Sequence, residues 1–181
     1  EYPSLYRSTH VSGSSPTLLF NMNDHAKEHD YYNIADFSAS PNNRLLAYSE
    51  DTLSRRIYTI RIKDLSTGNN LQTELKGAQG GVVWGNDNKT LYYVKKDPVS
   101  LLGNQVFRHT LGQPQSSDEL VYEEQDNTYY TYISKSKDGK YIYIHHSSTE
   151  SKGVSLIDAN DRMSVPERFI SREKGLEYSV S

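Results

Sequence analysis

Short runs of alternating apolar and polar residues, separated by tight polar turns, dominate the chain, and no long stretch keeps an apolar face at helical spacing. Three segments can be laid over one another: 37–48 (FSASPNNRLLAY), 82–93 (VVWGNDNKTLYY) and 133–144 (ISKSKDGKYIYI). Each reads as a strand, a turn, a basic residue (Arg44, Lys89, Lys140) and a second strand rich in Leu, Ile and Tyr. The basic positions lie 45 and 51 residues apart (89 minus 44, 140 minus 89). Pro41 presets φ in the first turn, and Asp138-Gly139 supplies the positive φ that a tight hairpin needs in the third.

Each unit then continues alike. A third strand is expected at 57–62, 105–111 and 153–157, and a brief fourth at 72–75, 119–122 and 167–170. Residues 17–20 read as the fourth strand of a preceding unit, and 177–180 as the first strand of a following one. Four strands per unit at this period predict an all-β fold built of four-stranded antiparallel β-propeller blades. The expected division is 1–24, the end of a partial blade; 25–76, 77–124 and 125–171, three blades; and 172–181, the start of another. Propellers typically close with about 4 to 8 blades, so the chain is expected to form a partial arc. Its outer faces would lack neighbours, which predicts self-association of such an arc.

Composition narrows the function classes. Net charge is −3, so no basic field recommends nucleic acid or an anionic membrane. No cysteine is present, which removes disulfides, thiolate metal sites and thiol catalysis, and suits a reducing cytoplasm. No apolar span is long enough for a membrane. The apolar fraction is low at 35%, but 15 tyrosines can bury rings while keeping hydroxyls wet.

Candidate chemistry is sparse. There is no Gly-x-Ser-x-Gly elbow and no βαβ alternation, so this chain by itself carries no expected nucleophile. His25 and His29 have a metal-ligand spacing beside Asp24 and Asp30, but they fall in a polar inter-blade stretch that reads as a solvated loop. His145 and His146 are adjacent on a strand and point to opposite faces, so they cannot share an ion. No metal is expected. Asp118-Glu119 and the run Glu123-Glu124-Gln125-Asp126 read as a solvated face. Trp84 reads as packing.

The connection SEDTLSRRIY (49–58) stands apart. Between second and third strands, where binding loops gather on one rim, it sets Glu50, Asp51 and Arg55 as a candidate rim loop beside Arg56. Its counterparts, 95–104 and 145–152, are also longer than turning requires.

Those residues, with AKEHDYYNIADFSASPNNRLLAYSEDTLSRRIYTIRIKDLSTGN, KKDPVSLLGNQVFRHTLG and DELVYEEQDNTYYTYISKSKDGKYI, resemble the propeller of the oligopeptidase B (protease II) branch of the prolyl oligopeptidase family of serine peptidases. The resemblance runs from about residue 17 to 181, and the lead EYPSLYRST resembles the preceding strand. It implies a seven-bladed propeller capping an α/β-hydrolase domain with a Ser-Asp-His triad, cleaving short peptides after Arg or Lys without a cofactor. The chain resembles the cap only, so the triad is expected outside it and this segment is expected to be inactive alone. Asp30 resembles a carboxylate that meets the catalytic domain, and Arg56 a residue of the same interdomain face. The family often has Glu where Asp30 stands, a longer reach. The competing reading is a stand-alone propeller serving as an interaction scaffold.

Overall fold

The computed structural model describes residues 2–8 and 15–181. β1 (Ser4–Arg7) pairs with β2 (Thr17–Asn21), and a single turn of helix, α1 (Met22–Ala26), follows. The Asn21 side chain caps that turn by accepting from the Asn23 N–H at 3.1 Å. A seven-stranded antiparallel sheet comes next: β3 (Asn33–Ala39), β4 (Leu45–Asp51), β5 (Tyr58–Asp64), β6 (Asn70–Trp84), β7 (Thr90–Lys96), β8 (Gly103–Thr110) and β9 (Glu119–Glu123), in chain order. A separate sheet holds β10 (Tyr130–Lys135), β11 (Tyr141–Ser147), β12 (Lys152–Asp158) and β13 (Glu167–Arg168).

The turns repeat because their chemistry repeats. Asn43, Asn88 and Gly139 precede Arg44, Lys89 and Lys140, and all three adopt positive φ, at 57°, 60° and 72°. In the first unit the Ser40 hydroxyl donates to Asn42 Oδ1 at 2.8 Å and accepts from Leu45 N at 3.0 Å. In the third, the Ser136 hydroxyl donates to Asp138 Oδ1 at 2.7 Å and accepts from Tyr141 N at 2.9 Å. Short polar side chains satisfying their own backbone make these hairpins locally determined.

Three apolar seams hold the units together. Along β7, Leu91 and Tyr93 face one seam with Ile60, Leu75, Val82 and Trp84. Tyr92 and Val94 face the next, with Val106, Ile142, Ile144 and Ile157. A strand buried on both faces reads as a continuous apolar run, which explains why LYYV carries no alternation. The third seam packs Phe20, Met22, Tyr32 and Tyr48.

The strand pattern differs from the sequence expectation in three places. The expected strands at 72–75 and from residue 82 are one strand, β6. Its first part pairs with β5 and its last part with β7, and Ala78 is partnered on both sides by Tyr58 and Lys95. Gly80 permits the crossing: its φ is 136°, and a Cβ there would stand 2.8 Å from Ala35 Cβ. The fourth strand expected at 167–170 shrinks to two residues, and 177–180 is not a strand. Instead Lys152 N donates to Leu176 O at 3.0 Å and Val154 N to the Tyr178 hydroxyl at 3.0 Å. The end of the chain thus satisfies the edge of β12 that the short β13 leaves open. Among the described residues no helix is long and apolar enough to cross a membrane.

Candidate functional site

The register places one set of strand ends on a common rim. Asn33 faces Asp51, Tyr58 faces Ala78, Ala78 faces Lys95, and Lys96 faces Gly103. The bend holding Asp30 and the connections 52–57 and 97–102 therefore share that rim.

The SEDTLSRRIY stretch divides in two. Ser49, Glu50 and Asp51 are not loop residues: they complete β4, with exposures of 0%, 8% and 1%. This corrects the reading of Glu50 and Asp51 as open rim residues. Pairing of β4 with β3 and β5 carries the ladder further than the polar sequence suggested, and the acids are buried because each has partners. Glu50 accepts from the Tyr32 hydroxyl at 2.9 Å and from Arg61 Nε, while Arg61 also binds Glu74. Burial, then the Glu50 charge, pushes Tyr48 beside this cluster up to about 12. Asp51 is spent on its own loop. One carboxylate oxygen accepts from Leu53 N at 2.9 Å and the other from Arg56 N at 2.7 Å. That double cap holds Ser54 and Arg56 at φ of 58° and 53°.

Arg55 and Arg56 are exposed, as is Asp30, and among the described residues none of the three has an ion-pair partner. The counterpart loops are shorter than the sequence suggested, at 97–102 and 148–151, for the same reason as in β4.

The histidines are stacking groups. The stretch read as a solvated loop contains α1, and His25 stacks on Phe20 with ring centroids 4.2 Å apart. Burial holds His25 below its usual range. His29 stacks on Tyr32 at 5.9 Å. Among the described residues no group of three or more His, Asp or Glu side chains is placed to hold a metal ion. His145 bonds Ser134 Oγ at 2.7 Å, and His146 bonds Ser155 Oγ at 3.1 Å on the other face.

Two acids expected on a solvated face are buried instead. The Asp118 side chain is 2% exposed, accepts from the Tyr93 hydroxyl at 2.8 Å, and lies 2.6 Å from His109 Nδ1. Glu124, 3% exposed, accepts from Arg172 at 2.7 Å and from the Tyr122 hydroxyl at 2.7 Å. Burial opposes the Glu124 charge, yet these donors hold its carboxyl below the usual range. No local pattern distinguishes these two acids from exposed Glu123 and Asp126, because each needs a donor from farther along the chain, Tyr93 at 25 residues for Asp118 and Arg172 at 48 for Glu124.

Comparison with known proteins completes the picture. The family model described as prolyl oligopeptidase, N-terminal beta-propeller domain, matches residues 1–181. Dipeptidyl aminopeptidase BI of Pseudoxanthomonas mexicana is 43% identical over 163 residues, 90% of this chain and 22% of that protein. Protease 2 of Moraxella lacunata is 32% identical over 172 residues, 94% of this chain and 25% of that protein. The structure of oligopeptidase B from Leishmania major superposes with a TM-score of 0.85 at 30% identity, over 91% of this chain and 23% of that one. The chain spans about a quarter of the length of these relatives.

Proposed function

The chain belongs to the prolyl oligopeptidase family, matching its N-terminal β-propeller domain, and from that premise we propose that it is part of the cap of a serine oligopeptidase. The partner in this reading is a C-terminal α/β-hydrolase domain of the same protein, where acyl transfer to a serine takes place. The propeller admits short peptides when the two domains part and excludes water when they close. The substrates in this reading are short peptides cut after Arg or Lys. This reading places the parent in the cytoplasm, a setting with which the cysteine-free chain is compatible.

The observation that carries the reading is the rim. Asp30 and Arg56 stand exposed there with no ion-pair partner among the described residues, while the neighbouring acid Asp51 is consumed by the backbone of its loop. A free charge on a pinned loop, Arg56, beside another on the same rim, Asp30, suits an interdomain contact. In the intact protein, Asp30→Ala and Arg56→Ala should each alter peptide hydrolysis while leaving propeller stability unchanged. Unchanged kinetics in both would remove the latch. A parent polypeptide that an active-site fluorophosphonate fails to label would replace the cap with the scaffold reading.

A second reading has its own support, the 43% identity to a protein named dipeptidyl aminopeptidase. In that reading the parent removes dipeptides from free N-termini. Matched peptides with a basic residue at the cleavage site, with free or blocked N-termini, separate the two: blocked substrates are cut only by an endopeptidase.

A further inference from the structure

We infer that the rim presents a preorganised apolar patch ringed by unpaired cations, and that it seats a carboxylate-bearing apolar surface of the catalytic domain of the same protein. The inference rests on the cap reading above and names the chemistry of the contact. Its first support is exposure. Leu53, Val99 and Leu101 are 74%, 89% and 47% exposed, all in the two rim connections 52–57 and 97–102.

The second support is rigidity, since each connection is pinned by an aspartate at its base. Asp51 holds Leu53 N and Arg56 N. Asp97 accepts from Val99 N at 3.0 Å and Ser100 N at 2.6 Å, and Leu101 N donates to Asp97 O at 2.9 Å. Those caps fix Ser54, Arg56 and Leu101 at positive φ, the last at 61°. A bulky leucine in that region is costly and uncommon. An exposed leucine held there gains nothing for the propeller itself.

Charge indicates what covers the patch. Between the loops lies a recess of about 300 Å³ lined by Ile57, Gly77, Lys95, Lys96, Asp97, Pro98 and Gln105. Lys95 and Lys96 line it and Arg56 lies near enough to act on the Lys96 charge; among the described residues none of the three forms an ion pair, and Lys95 stands over the Phe107 ring at 5.3 Å. Asp51 and Asp97 are held by backbone donors and keep their charge, so they partly offset the cations without pairing with any of them side chain to side chain. Burial first, and then the Arg56 charge, lower the Lys96 ammonium below its usual range against the opposing pull of Asp51. Two like charges side by side at the mouth of an apolar recess complement a surface carrying carboxylates.

The test uses the intact parent protein. X-ray scattering reads the open–closed equilibrium at low and high salt for Arg56→Glu, Lys96→Glu and Leu53→Ser, with Lys89→Glu on the opposite rim as control. All four positions are exposed or half-exposed, so folding is not at stake. Each rim variant should raise the open-to-closed ratio about two- to fivefold, as expected for losing one exposed ion pair or contact, and the charge variants should weaken the salt response. Lys89→Glu should match the unmodified protein. Rim variants that scatter like the unmodified protein, while Asp30→Ala opens it, would overturn the patch and leave the cap reading standing. A dimer mass that falls to monomer in the rim variants would overturn it too, by making the occupant a second copy.

Discussion

The indole Nε1 of Trp84 donates to the main-chain carbonyl of Ser38 at 2.9 Å, across the seam between the first two blades. The ring itself is 1% exposed and packs in the same seam. Neighbouring bonds reinforce the crossing: Val82 N donates to Asp36 Oδ2 at 3.2 Å, and Lys135 Nζ donates to Trp84 O at 2.9 Å. The inner strands of three blades are thus tied edge to edge by one short segment. Trp84→Phe keeps most of the apolar volume and leaves the Ser38 carbonyl without its donor. It should cost about 1–3 kcal/mol in chemical denaturation. A variant as stable as the parent would show that water takes over the carbonyl.

Gly80 is where β6 passes from one blade to the next. Gly80→Ala must hold an alanine at φ 136° with its Cβ 2.8 Å from Ala35 Cβ. The expected loss is about 1–3 kcal/mol from backbone strain alone, read as a lowered thermal midpoint. Gly112→Ala is the comparison, because a Cβ there meets nothing within 4 Å and only its φ of 89° is strained.

Acid should weaken the seam between the second and third blades. Burial depresses His146 to about 4 from an ordinary 6.5. Between those values the unfolded chain binds a proton that the folded chain refuses. The stability is therefore complete above about pH 6.5 and declines as pH falls toward 4, by on the order of 3 kcal/mol at the limit. Glu124, held below the usual carboxylate range, loses its contribution further down, in the same direction. Denaturation midpoints of His146→Gln should change less between pH 4 and 6.5 than those of the parent, and an unaltered slope would clear His146 of the effect.

The Glu124–Arg172 pair joins positions 48 residues apart and is stacked over Tyr129 at 4.1 Å. Arg172→Met leaves a carboxylate 3% exposed with its strongest donor gone. Removing one partner of such a pair should cost about 3 kcal/mol. The companion Glu124→Gln should cost less, since its amide oxygen can still accept from Arg172. Equal losses for the two would mean packing, and not charge, sets the cost.

Asp51→Ala removes both caps of the rim loop at once. The amides of Leu53 and Arg56 should then exchange with solvent faster, and stability should fall by about 1–2 kcal/mol. Hydrogen exchange on the intact protein reads both directly. Protection retained at Arg56 would show that strand pairing alone holds the loop.

The repeat, the strand-turn-strand units and the basic residue after each turn were legible in the chain because they rest on neighbours. Ser40 with Asn42, Ser136 with Asp138, and the left-handed Asn43, Asn88 and Gly139 need only residues a few positions away. Tertiary structure alone decided which acids are buried. Glu50, Asp118 and Glu124 look no different in sequence from the exposed Glu123. Their burial depends on Arg61 of β5, His109 of β8 and Arg172 of the irregular segment after β13, since a carboxylate leaves water only when a donor from another element replaces it. It also decided that residues 70–84 form one strand serving two blades, and that 176–178 closes the edge of β12 in place of the expected strand. Strand continuity is settled by which edges remain unpaired, and no single segment carries that information.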